Sequence, residues 1–383
     1  MREKMKITKI NSSTQFEQIS SLIKPHKMGK KIMSKKTQIH FFYIQDLRAP
    51  AANILKQDAL RVGAELVTHK DLILGKEHTN ALLMATNEQI QKLIHKEKMQ
   101  DFNLKYLAKF LEKSFHKPVY PKLMAILNIN NDSFNPQSRV DELNFEKKLN
   151  EILELKPDFI DIGAVSSRPG SIYCGEKEEF RRLKNILDLI YKKSYYKESI
   201  FSLDSFDEHS LNYALDRGFG LINDITGLAN ENLAKLAARF NVKYCLMHMQ
   251  NTPLTMQNNP SYEDVVQELS EFFEKKIAIL EQYGVKDIFL DVGIGFGKTS
   301  WHNMILIKHL EHFLQFQKPL LVGASRKSVI DAYFPSKVEE RLAGSLYLHL
   351  EAFKNGASII RTHDLYEHKQ MFKLVKAMDE VVI

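Results

Sequence analysis

The sequence lacks the features of a membrane-spanning or secreted protein. No apolar stretch approaches the ~20 residues that a membrane helix requires, and the first ten residues, MREKMKITKI, contain no apolar core of a signal peptide. Only two cysteines occur among 383 residues, Cys174 and Cys245, and neither belongs to a CxxC motif. Free thiols in a reducing compartment are the expected state, and a structural zinc site is not indicated. We therefore expect a cytoplasmic protein.

Nucleotide-binding fingerprints are also missing, although the glycine-rich stretch DVGIGFGKT at 291–299 invites the comparison. A P-loop requires glycine five residues before Gly297, where Val292 stands. A dinucleotide fingerprint requires a third glycine where Lys298 stands. The glycines are therefore expected to permit a tight turn and a close approach of backbone.

Basic charge is distributed unevenly along the chain. Residues 1–120 contain 22 Lys and Arg against 11 Asp and Glu, and the rest contains 32 against 36, which accounts for the net charge of +7. A solvated surface explains the basic excess, and a surface for nucleic acid or an acidic partner is the alternative. Strand and helix patterns alternate within 38–115. We expect a small basic α/β domain over residues 1–115, without a catalytic constellation.

Eight short apolar runs follow one another through the rest of the chain, and helical patterns separate them. The runs are 122–130, 159–165, 200–205, 221–226, 243–249, 288–293, 319–325 and 358–364, and the helical patterns are 145–155, 176–191, 207–217, 231–240, 262–283, 302–310, 338–353 and 366–378. Nearly continuous apolar strands indicate a parallel sheet covered on both faces. Residues 116–383 are therefore predicted to form a (β/α)8 TIM barrel, and an open doubly wound sheet is the alternative.

A polar residue closes or follows most of these runs, at the end of a barrel strand where active sites lie. Asp204, Asn223 and Asp291 combine two carboxylates with a carboxamide, a set that suits a flat heterocycle with amino and ring N–H donors. Helix capping is the plainer explanation for any one of them. Three such residues at corresponding strand ends favour a ligand site.

A cationic group follows the last two runs, in the sequences SRKS at 325–328 and RTHD at 361–364. Barrels frequently bind phosphate with the loops after strands seven and eight. Arg361 offers a planar fork for phosphate oxygens, His363 a second donor, and Lys327 a compact charge. These residues predict an anion site. Two loops rich in Ser, Asn, Pro and Gly, at 130–138 and 166–176, are candidate lids or ordinary surface connections.

The chain resembles dihydropteroate synthase over residues 120–380, and its N-terminal segment resembles the extra domain of longer members of that family. The motifs that carry the resemblance occur in the family's order and spacing: LMAILNINNDSF, DIGAVSSRPGS, SLDSF, INDITG, CLMHMQNTPLTMQ, FLDVGIGFGK, GASRKS, RLAGS and IIRTHD. The resemblance implies condensation of 6-hydroxymethyl-7,8-dihydropterin diphosphate with 4-aminobenzoate. Mg²⁺ is the implied cofactor, a homodimer is implied, and neither nucleic acid nor membrane is an expected partner.

The resemblance also implies a role for each candidate residue. The pterin is assigned to Asp204, Asn223, Asp291 and Lys327, the diphosphate to Ser167, Arg361 and His363, the 4-aminobenzoate to Arg168, Pro169, Phe296 and Ser328, and Mg²⁺ to Asn128. An SN1-like departure of diphosphate is expected, without a covalent enzyme intermediate. Asp161 is expected to support the second loop.

Two other functions fit part of the pattern. A methyltetrahydrofolate-binding methyltransferase would share the barrel and the pterin carboxylates but has no use for the SRKS and RTHD anion site. A pterin-binding regulatory protein would lack catalysis and would contact RNA through its basic N-terminal domain, which predicts salt-dependent RNA retention by residues 1–115.

Overall fold

A computed structural model describes residues 7–10, 16–74, 76–129, 139–165 and 170–381. The chain divides into two compact units, one formed by Met1–Ser114 with Ala377–Ile383 and the other by Phe115–Lys376. Within the described ranges, every helix is too short or too polar to cross a bilayer.

The first unit contains a three-stranded antiparallel sheet, in which the last strand along the chain lies between the other two. Its elements are α1 (Phe16–Ile23), α2 (Lys27–Ser34), β1 (Ile39–Arg48), α3 (Ala49–Val62), β2 (Glu65–Val67), β3 (His78–Thr86), α4 (Asn87–Glu97) and α5 (Leu104–Leu111). Leu55, Leu83 and Leu93 are fully buried and join a helix-to-sheet core. Gly63 ends α3 at a φ of 79°, a left-handed conformation that costs glycine little.

Eight parallel strands close the second unit into a barrel, which confirms the predicted (β/α)8 fold. The strands are β4 (Lys122–Asn128), β5 (Phe159–Gly163), β6 (Ile200–Asp204), β7 (Leu221–Asp224), β8 (Lys243–Met247), β9 (Ile288–Asp291), β10 (Leu320–Val322) and β11 (Ala357–Thr362). Each strand pairs with the next along the chain, and β11 returns to pair with β4. The alternative of an open sheet is therefore wrong.

Helices follow the strands and cover them. They are α6 (Arg139–Glu154), α7 (Glu176–Lys192), α8 (Glu208–Leu215), α9 (Asn232–Phe240), α10 (Val265–Gln282), α11 (Ser300–Lys308), α12 (Ser328–Tyr333), α13 (Leu342–Lys354) and α14 (Leu365–Glu380). Side-chain caps fix several first turns: the Asp207 carboxylate accepts from the Ser210 amide at 2.7 Å, and Asp264 accepts from Val266 at 2.9 Å. The pattern at 262–283 overlooks this cap, so α10 begins later than predicted.

Two apolar layers position the strand ends. Between strands and helices lies a large core that includes Phe201, Tyr244 and Phe273. Inside the barrel a smaller cluster fills the space near the amino ends, with Met124, Phe159, Leu221, Cys245, Phe289, Leu321 and Ile359. Because this interior is packed, polar side chains that point inward at the carboxyl ends rest on an apolar floor. Cys174 and Cys245 are free thiols, as expected.

Candidate active site

Strand register sets the depth of each polar side chain at the carboxyl end of the barrel. Asp204 on β6 lies opposite Asn223 on β7, so these two residues share one level. Asp161 on β5 lies opposite Ser202, two residues before Asp204, which places Asp161 one level deeper. The sequence-predicted residues therefore meet at the mouth, with Asp161 beneath them.

A buried ion cluster lies at the centre of this mouth. The Arg361 guanidinium donates through Nε to Asp161 Oδ2 at 2.7 Å and through Nη2 to Asp204 Oδ2 at 2.8 Å. Arg361 Nη2 also lies 2.6 Å from Asp161 Oδ2. Burial disfavours the charged guanidinium, but the two carboxylates outweigh burial and raise the pKa of Arg361 above its usual value. Arg361 thus joins the predicted pterin group to the predicted anion group.

Asp161 is the residue whose role the sequence reasoning assigned differently. Its side chain is fully buried, and Oδ2 accepts from both Arg361 and the Asn223 amide, the latter at 3.0 Å. Oδ1 of Asp161 is buried without a hydrogen-bond partner among the described residues. A carboxylate in this state orients the Arg361 fork and the Asn223 carboxamide. Its place in run two was the available signal, because no other side chain of that run carries an acceptor.

Burial raises the pKa of the Asp204 carboxyl to about 7, and Asp161 adds to this rise while Arg361 opposes it. Burial also raises the pKa of Asp291, against the nearby Lys327 charge. A shifted pKa in a cleft is a frequent mark of a functional site. Asp204 therefore changes its protonation near neutral pH.

Asp291 and Lys327 face each other across the opposite side of the mouth. The Gly293 amide donates to Asp291 Oδ1 at 2.8 Å, which fixes the carboxylate. Lys327 directly precedes α12, and its ammonium donates to the Ile294 carbonyl and lies 4.4 Å from the centre of the Phe296 ring. Burial lowers the pKa of Lys327 to about 8, with Asp291 opposing the shift.

The glycines after β9 permit a close approach of backbone, as expected. Gly293 has a φ of +67°, and a Cβ there would overlap the His248 carbonyl oxygen. Gly297 has a φ of +61°, and a Cβ there would lie 2.6 Å from the Gln250 carbonyl oxygen. This stretch therefore seals the loop after β9 against the loop after β8.

Lys298 is a buried lysine in this seal that the sequence does not predict as part of the site. Lys298 is buried, and its ammonium lies 3.0 Å from His248 Nδ1 and donates to the Phe296 carbonyl at 2.9 Å. Burial lowers the pKa of Lys298 to about 7, and burial together with Lys298 lowers that of His248 to about 2. The sequence signal for Lys298 in the site is its position directly after Gly297, the last of three closely spaced glycines.

The loops after β10 and β11 are tied together at the predicted anion site. His363 Nδ1 lies 3.0 Å from Ser325 Oγ, which also accepts from the His363 amide at 3.2 Å. Arg326 pairs with Asp364 through two nitrogens, at 3.0 and 2.5 Å. The side chains of His363 and Ser328 are exposed. The sequence predicts Arg361 as part of this anion site, whereas the described contacts of Arg361 are with the Asp161 and Asp204 carboxylates.

Asn128 ends β4 with an exposed carboxamide, and Gly163 of the neighbouring strand leaves it room. A Cβ at residue 163 would lie 3.1 Å from Asn128 Oδ1 and 3.6 Å from Asp204 Cβ. Among the described residues, no three His, Cys, Asp or Glu side chains are grouped to hold a metal. Mg²⁺ keeps several waters and takes phosphate oxygens from its substrates, so a single carboxamide fits this ion.

The remaining predicted residues are Ser167, Arg168 and Pro169, and they lie outside the described residues. The same holds for loop 130–138. Phe296 is buried against Met247 and Met256, beside the Lys327 ammonium. The structure thus brings together Asp204, Asn223, Asp291, Lys327, Arg361 and Phe296 at one mouth.

Comparison with known proteins places this geometry in context. A model of the family described as pterin binding enzyme matches residues 124–363. The chain is 41% identical to a bifunctional dihydropteroate synthase/dihydropteroate reductase of Helicobacter pylori over 361 residues, which cover 94% of this chain and 95% of that protein. It is 36% identical to a dihydropteroate synthase of Escherichia coli over 261 residues, covering 67% and 92%. A solved Yersinia pestis dihydropteroate synthase with a sulfonamide drug complex aligns with a TM-score of 0.63 at 32% identity, over 68% of this chain and 95% of that one.

Proposed function

This chain belongs to the dihydropteroate synthase family, the pterin-binding transferases of folate biosynthesis, and from that premise we propose its substrates. The enzyme condenses 6-hydroxymethyl-7,8-dihydropterin diphosphate with 4-aminobenzoate and releases 7,8-dihydropteroate and diphosphate. The observation that carries the proposal is the set of acceptors at three strand ends, the buried Asn223 and Asp291 and the Asp204 carboxylate held by Arg361, because it suits a flat, donor-rich ring.

The pterin is held by acceptors that the protein has already oriented. Asp204 and Asp291 accept from the amino and ring N–H groups, and the Asn223 carboxamide both donates and accepts. Lys327 donates to a ring acceptor from the other side. Arg361 and Gly293 fix the two carboxylates before the pterin binds. Binding therefore costs little side-chain entropy at Asp204 and Asp291.

The diphosphate binds where positive charge and donors converge. Arg361 uses Nε and Nη2 on carboxylates, and its Nη1 makes no hydrogen bond within the part of the chain that the structure describes. That nitrogen donates to diphosphate oxygens, and the exposed His363 ring lies beside them in this proposal. Ser167 supplies a further donor in this proposal. Asn128 would hold Mg²⁺, which would offset the negative charge of the leaving group.

The 4-aminobenzoate lies above the bound pterin. Phe296 packs on its ring, and Ser328, at the first turn of α12, receives its carboxylate. Arg168 and Pro169 complete this site in the proposal. Sulfonamides are expected to compete for the same place, because they present a similar aromatic amine.

The reaction exchanges one bond at the pterin methylene. The carbon–oxygen bond breaks heterolytically, and diphosphate departs with the electron pair. The amine nitrogen of 4-aminobenzoate then bonds to the methylene carbon and loses one proton to solvent. Arg361 and His363 stabilise the departing charge, while the ionised Asp204 and Asp291 favour the cation that develops on the pterin.

The test is an assay of diphosphate release with purified full-length chain, with and without 4-aminobenzoate and Mg²⁺. We expect diphosphate release that depends on the protein, on 4-aminobenzoate and on Mg²⁺. One dihydropteroate should form for each diphosphate released. Folded protein without turnover would overturn the substrates proposed here. Release without 4-aminobenzoate would instead indicate hydrolysis of the pterin diphosphate.

We propose a homodimer for the barrel. Trp301, Phe334 and Tyr347 are 68%, 75% and 62% exposed. They lie on α11, at the end of α12 and on α13, and α11 contacts both of the other helices. Exposed aromatic groups of this kind mark protein interfaces. Light scattering should give twice the mass of one chain, and Trp301→Glu should shift it toward the monomer. A monomeric wild-type protein would contradict the proposal.

A second activity is favoured by one observation, the extent of the match to the bifunctional Helicobacter pylori protein. That match includes the N-terminal unit, whereas the match to the Escherichia coli synthase covers 67% of the chain. We propose that the full chain also reduces 7,8-dihydropteroate. A reduced nicotinamide or flavin would give hydride to C6, and N5 would take a proton.

Full-length chain should convert 7,8-dihydropteroate to the tetrahydro form with one of these donors. The Escherichia coli synthase is the matched control, because its relationship to this chain covers about two thirds of it. No oxidation of either donor in the presence of dihydropteroate would rule out the second activity and leave the synthase proposal intact.

A further inference from the structure

Two fully buried histidines lie behind the loops that carry the anion site, His349 on α13 and His368 on α14. His349 Nδ1 lies 2.7 Å from His368 Nε2. The Ala324 amide, after β10, donates to His349 Nε2 at 2.8 Å, and His368 Nδ1 lies 2.7 Å from the Asp364 carbonyl oxygen, after β11. A continuous chain of hydrogen bonds therefore joins the ends of two strands through two rings.

The protons in this chain of hydrogen bonds can be arranged in only one way. The Ala324 N–H can only donate, so His349 Nε2 must be a bare acceptor and the single proton of a neutral His349 lies on Nδ1. That proton leaves His368 Nε2 as an acceptor. His368 then carries its own proton on Nδ1 and donates it to the Asp364 carbonyl. A second proton on either ring would break one of these bonds, because two donors would then face each other.

We propose that His349 and His368 are positioning residues for the diphosphate site, acting as a pair of neutral imidazoles that each carry the proton on Nδ1. The inference rests on the proposed synthase function. Neither ring touches the substrates in this proposal. Both act through the backbone: Ala324 lies three residues before Lys327, and Asp364 directly follows His363.

Two hydroxyl groups extend the chain of hydrogen bonds to the exposed side of the anion site. Thr362 Oγ1 lies 3.1 Å from His368 Nδ1, accepts from the Asp364 amide at 3.0 Å and donates to Ser325 Oγ at 3.4 Å. Ser325 Oγ in turn accepts from the His363 amide. The orientation of His363 therefore depends on the buried rings. A shift at His349 would reach both loops at once.

The charges around the pair favour the neutral state. Burial lowers the pKa of His349 well below its usual value, and His368, Lys327 and His363 act in the same direction. Burial also lowers the pKa of His368, although Asp364 and Glu367 oppose the shift. Both rings are therefore neutral at pH 7. A buried ion pair or metal would need a different proton arrangement.

Direct observation of the protons is the first test. In protein labelled with ¹⁵N-histidine, His349 and His368 should both show protonated Nδ1 and unprotonated Nε2 at pH 7, with assignment by comparison with His349→Gln and His368→Gln. Most neutral histidines that face solvent can exchange between the two forms. A proton on Nε2 of either ring, or a charged ring at pH 7, would overturn the inference.

Kinetics provide the second test. His349→Gln can keep an acceptor for Ala324 but loses the link to His368, whereas His349→Leu loses both. Outer-shell partners at metal sites change affinity by about 10- to 100-fold, and we expect a rise of about tenfold in the KM for pterin diphosphate in His349→Leu, with a smaller rise in His349→Gln. The KM for 4-aminobenzoate and the affinity for a pterin without diphosphate should change less than twofold, a limit set by ordinary assay scatter.

Leu348→Ala is the matched control, because Leu348 is the neighbouring buried residue on α13 and lies outside the chain of hydrogen bonds. It should lower the Tm without a change in the KM for pterin diphosphate. If His349→Leu keeps the wild-type KM while wild type turns over, the positioning role is wrong. If wild type does not turn over, the synthase proposal fails, and the ¹⁵N measurement with inorganic diphosphate as probe still decides whether the pair responds to an anion.

Discussion

The two sides of the barrel mouth hold charge in different ways. On one side the Asp161 and Asp204 carboxylates share the enclosed Arg361 guanidinium as their counter-ion. On the other side His363 and Ser328 are exposed, and neutral imidazole rings and hydroxyl groups connect the two loops behind them. On the first side the charged groups are already paired before any ligand binds, and this side suits an uncharged ring. The second side presents exposed donors, and the proposed substrate supplies the negative charge that they bind.

This contrast predicts that substitutions on the enclosed side affect stability and binding together, whereas substitutions on the open side affect binding alone. An enclosed carboxylate that loses its partner remains buried and charged, which is costly. An exposed donor that is removed leaves a position that water can fill. The substitutions below test this difference.

Arg361→Ala should have the largest effect, because it removes the residue that belongs to both sides. Two buried carboxylates lose their partner, and we expect the free energy of unfolding to fall by about 3–5 kcal/mol. Turnover should fall by about 1000-fold, as for other groups that stabilise developing charge. Denaturant unfolding and steady-state kinetics measure the two effects.

Arg361→Lys is the control, since it keeps the charge and loses the planar fork. Weaker binding of a pterin that lacks diphosphate is also expected in Arg361→Ala, through loss of order at Asp204. If only ligands with diphosphate were affected, the two sides would be independent and the contrast would be wrong as stated here.

Asp204→Asn should weaken pterin binding by about 10- to 100-fold, the equivalent of 1–3 kcal/mol for a buried group left with the wrong partner. Inorganic diphosphate should bind as in wild type. Asp207→Asn is a suitable control, because Asp207 follows the same strand and caps α8, a role that Asn can fill. Isothermal titration with the pterin measures the change. Equal pterin affinity in wild type and Asp204→Asn would remove Asp204 from the site.

Pterin affinity should depend on pH around neutrality. Burial raises the pKa of Asp204 to about 7, so its carboxyl is mostly protonated at pH 6 and mostly ionised at pH 8. An ionised carboxylate is the better acceptor for pterin N–H donors, and affinity should therefore increase by up to about tenfold between these pH values. In Asp204→Asn the increase should disappear. A profile that is equally steep in the variant would point to Lys327 or Lys298 instead.

Ser328→Ala should have the smallest effect. Its hydroxyl is exposed, and one net hydrogen bond contributes about 0.5–1.5 kcal/mol, so the KM for 4-aminobenzoate should rise about threefold to tenfold. Stability and pterin affinity should not change. A large loss of stability would show that the open side of the mouth is less independent than the contrast requires.

Much of the barrel was predictable because its signals are local. Each strand is an apolar run buried on both faces, and a polar residue such as Asp204 or Asp291 ends it. The elements that were missed have weak local signals. β2 is three residues long. α12 is six residues long, and it lies between the helical patterns at 302–310 and 338–353, neither of which includes it.

The site was predictable as a set of residues but not as a set of contacts. Chain order gives which residues end the strands, whereas the stagger between strands decides that Asp161 lies a level below Asp204. The length of the Arg361 side chain then allows it to reach both. The pairing of His349 with His368 depends on how two helices pack, which no periodicity in the sequence reports.

The glycines after β9 limit how this enzyme can change over time. A side chain at residue 293 cannot be accommodated while the His248 carbonyl stays where it is, and residue 297 meets the Gln250 backbone in the same way. Substitutions that keep activity should therefore arise elsewhere in the mouth, at residues whose side chains border open space. Positions 293 and 297 should tolerate a side chain as poorly as the buried strand-end residues tolerate substitution.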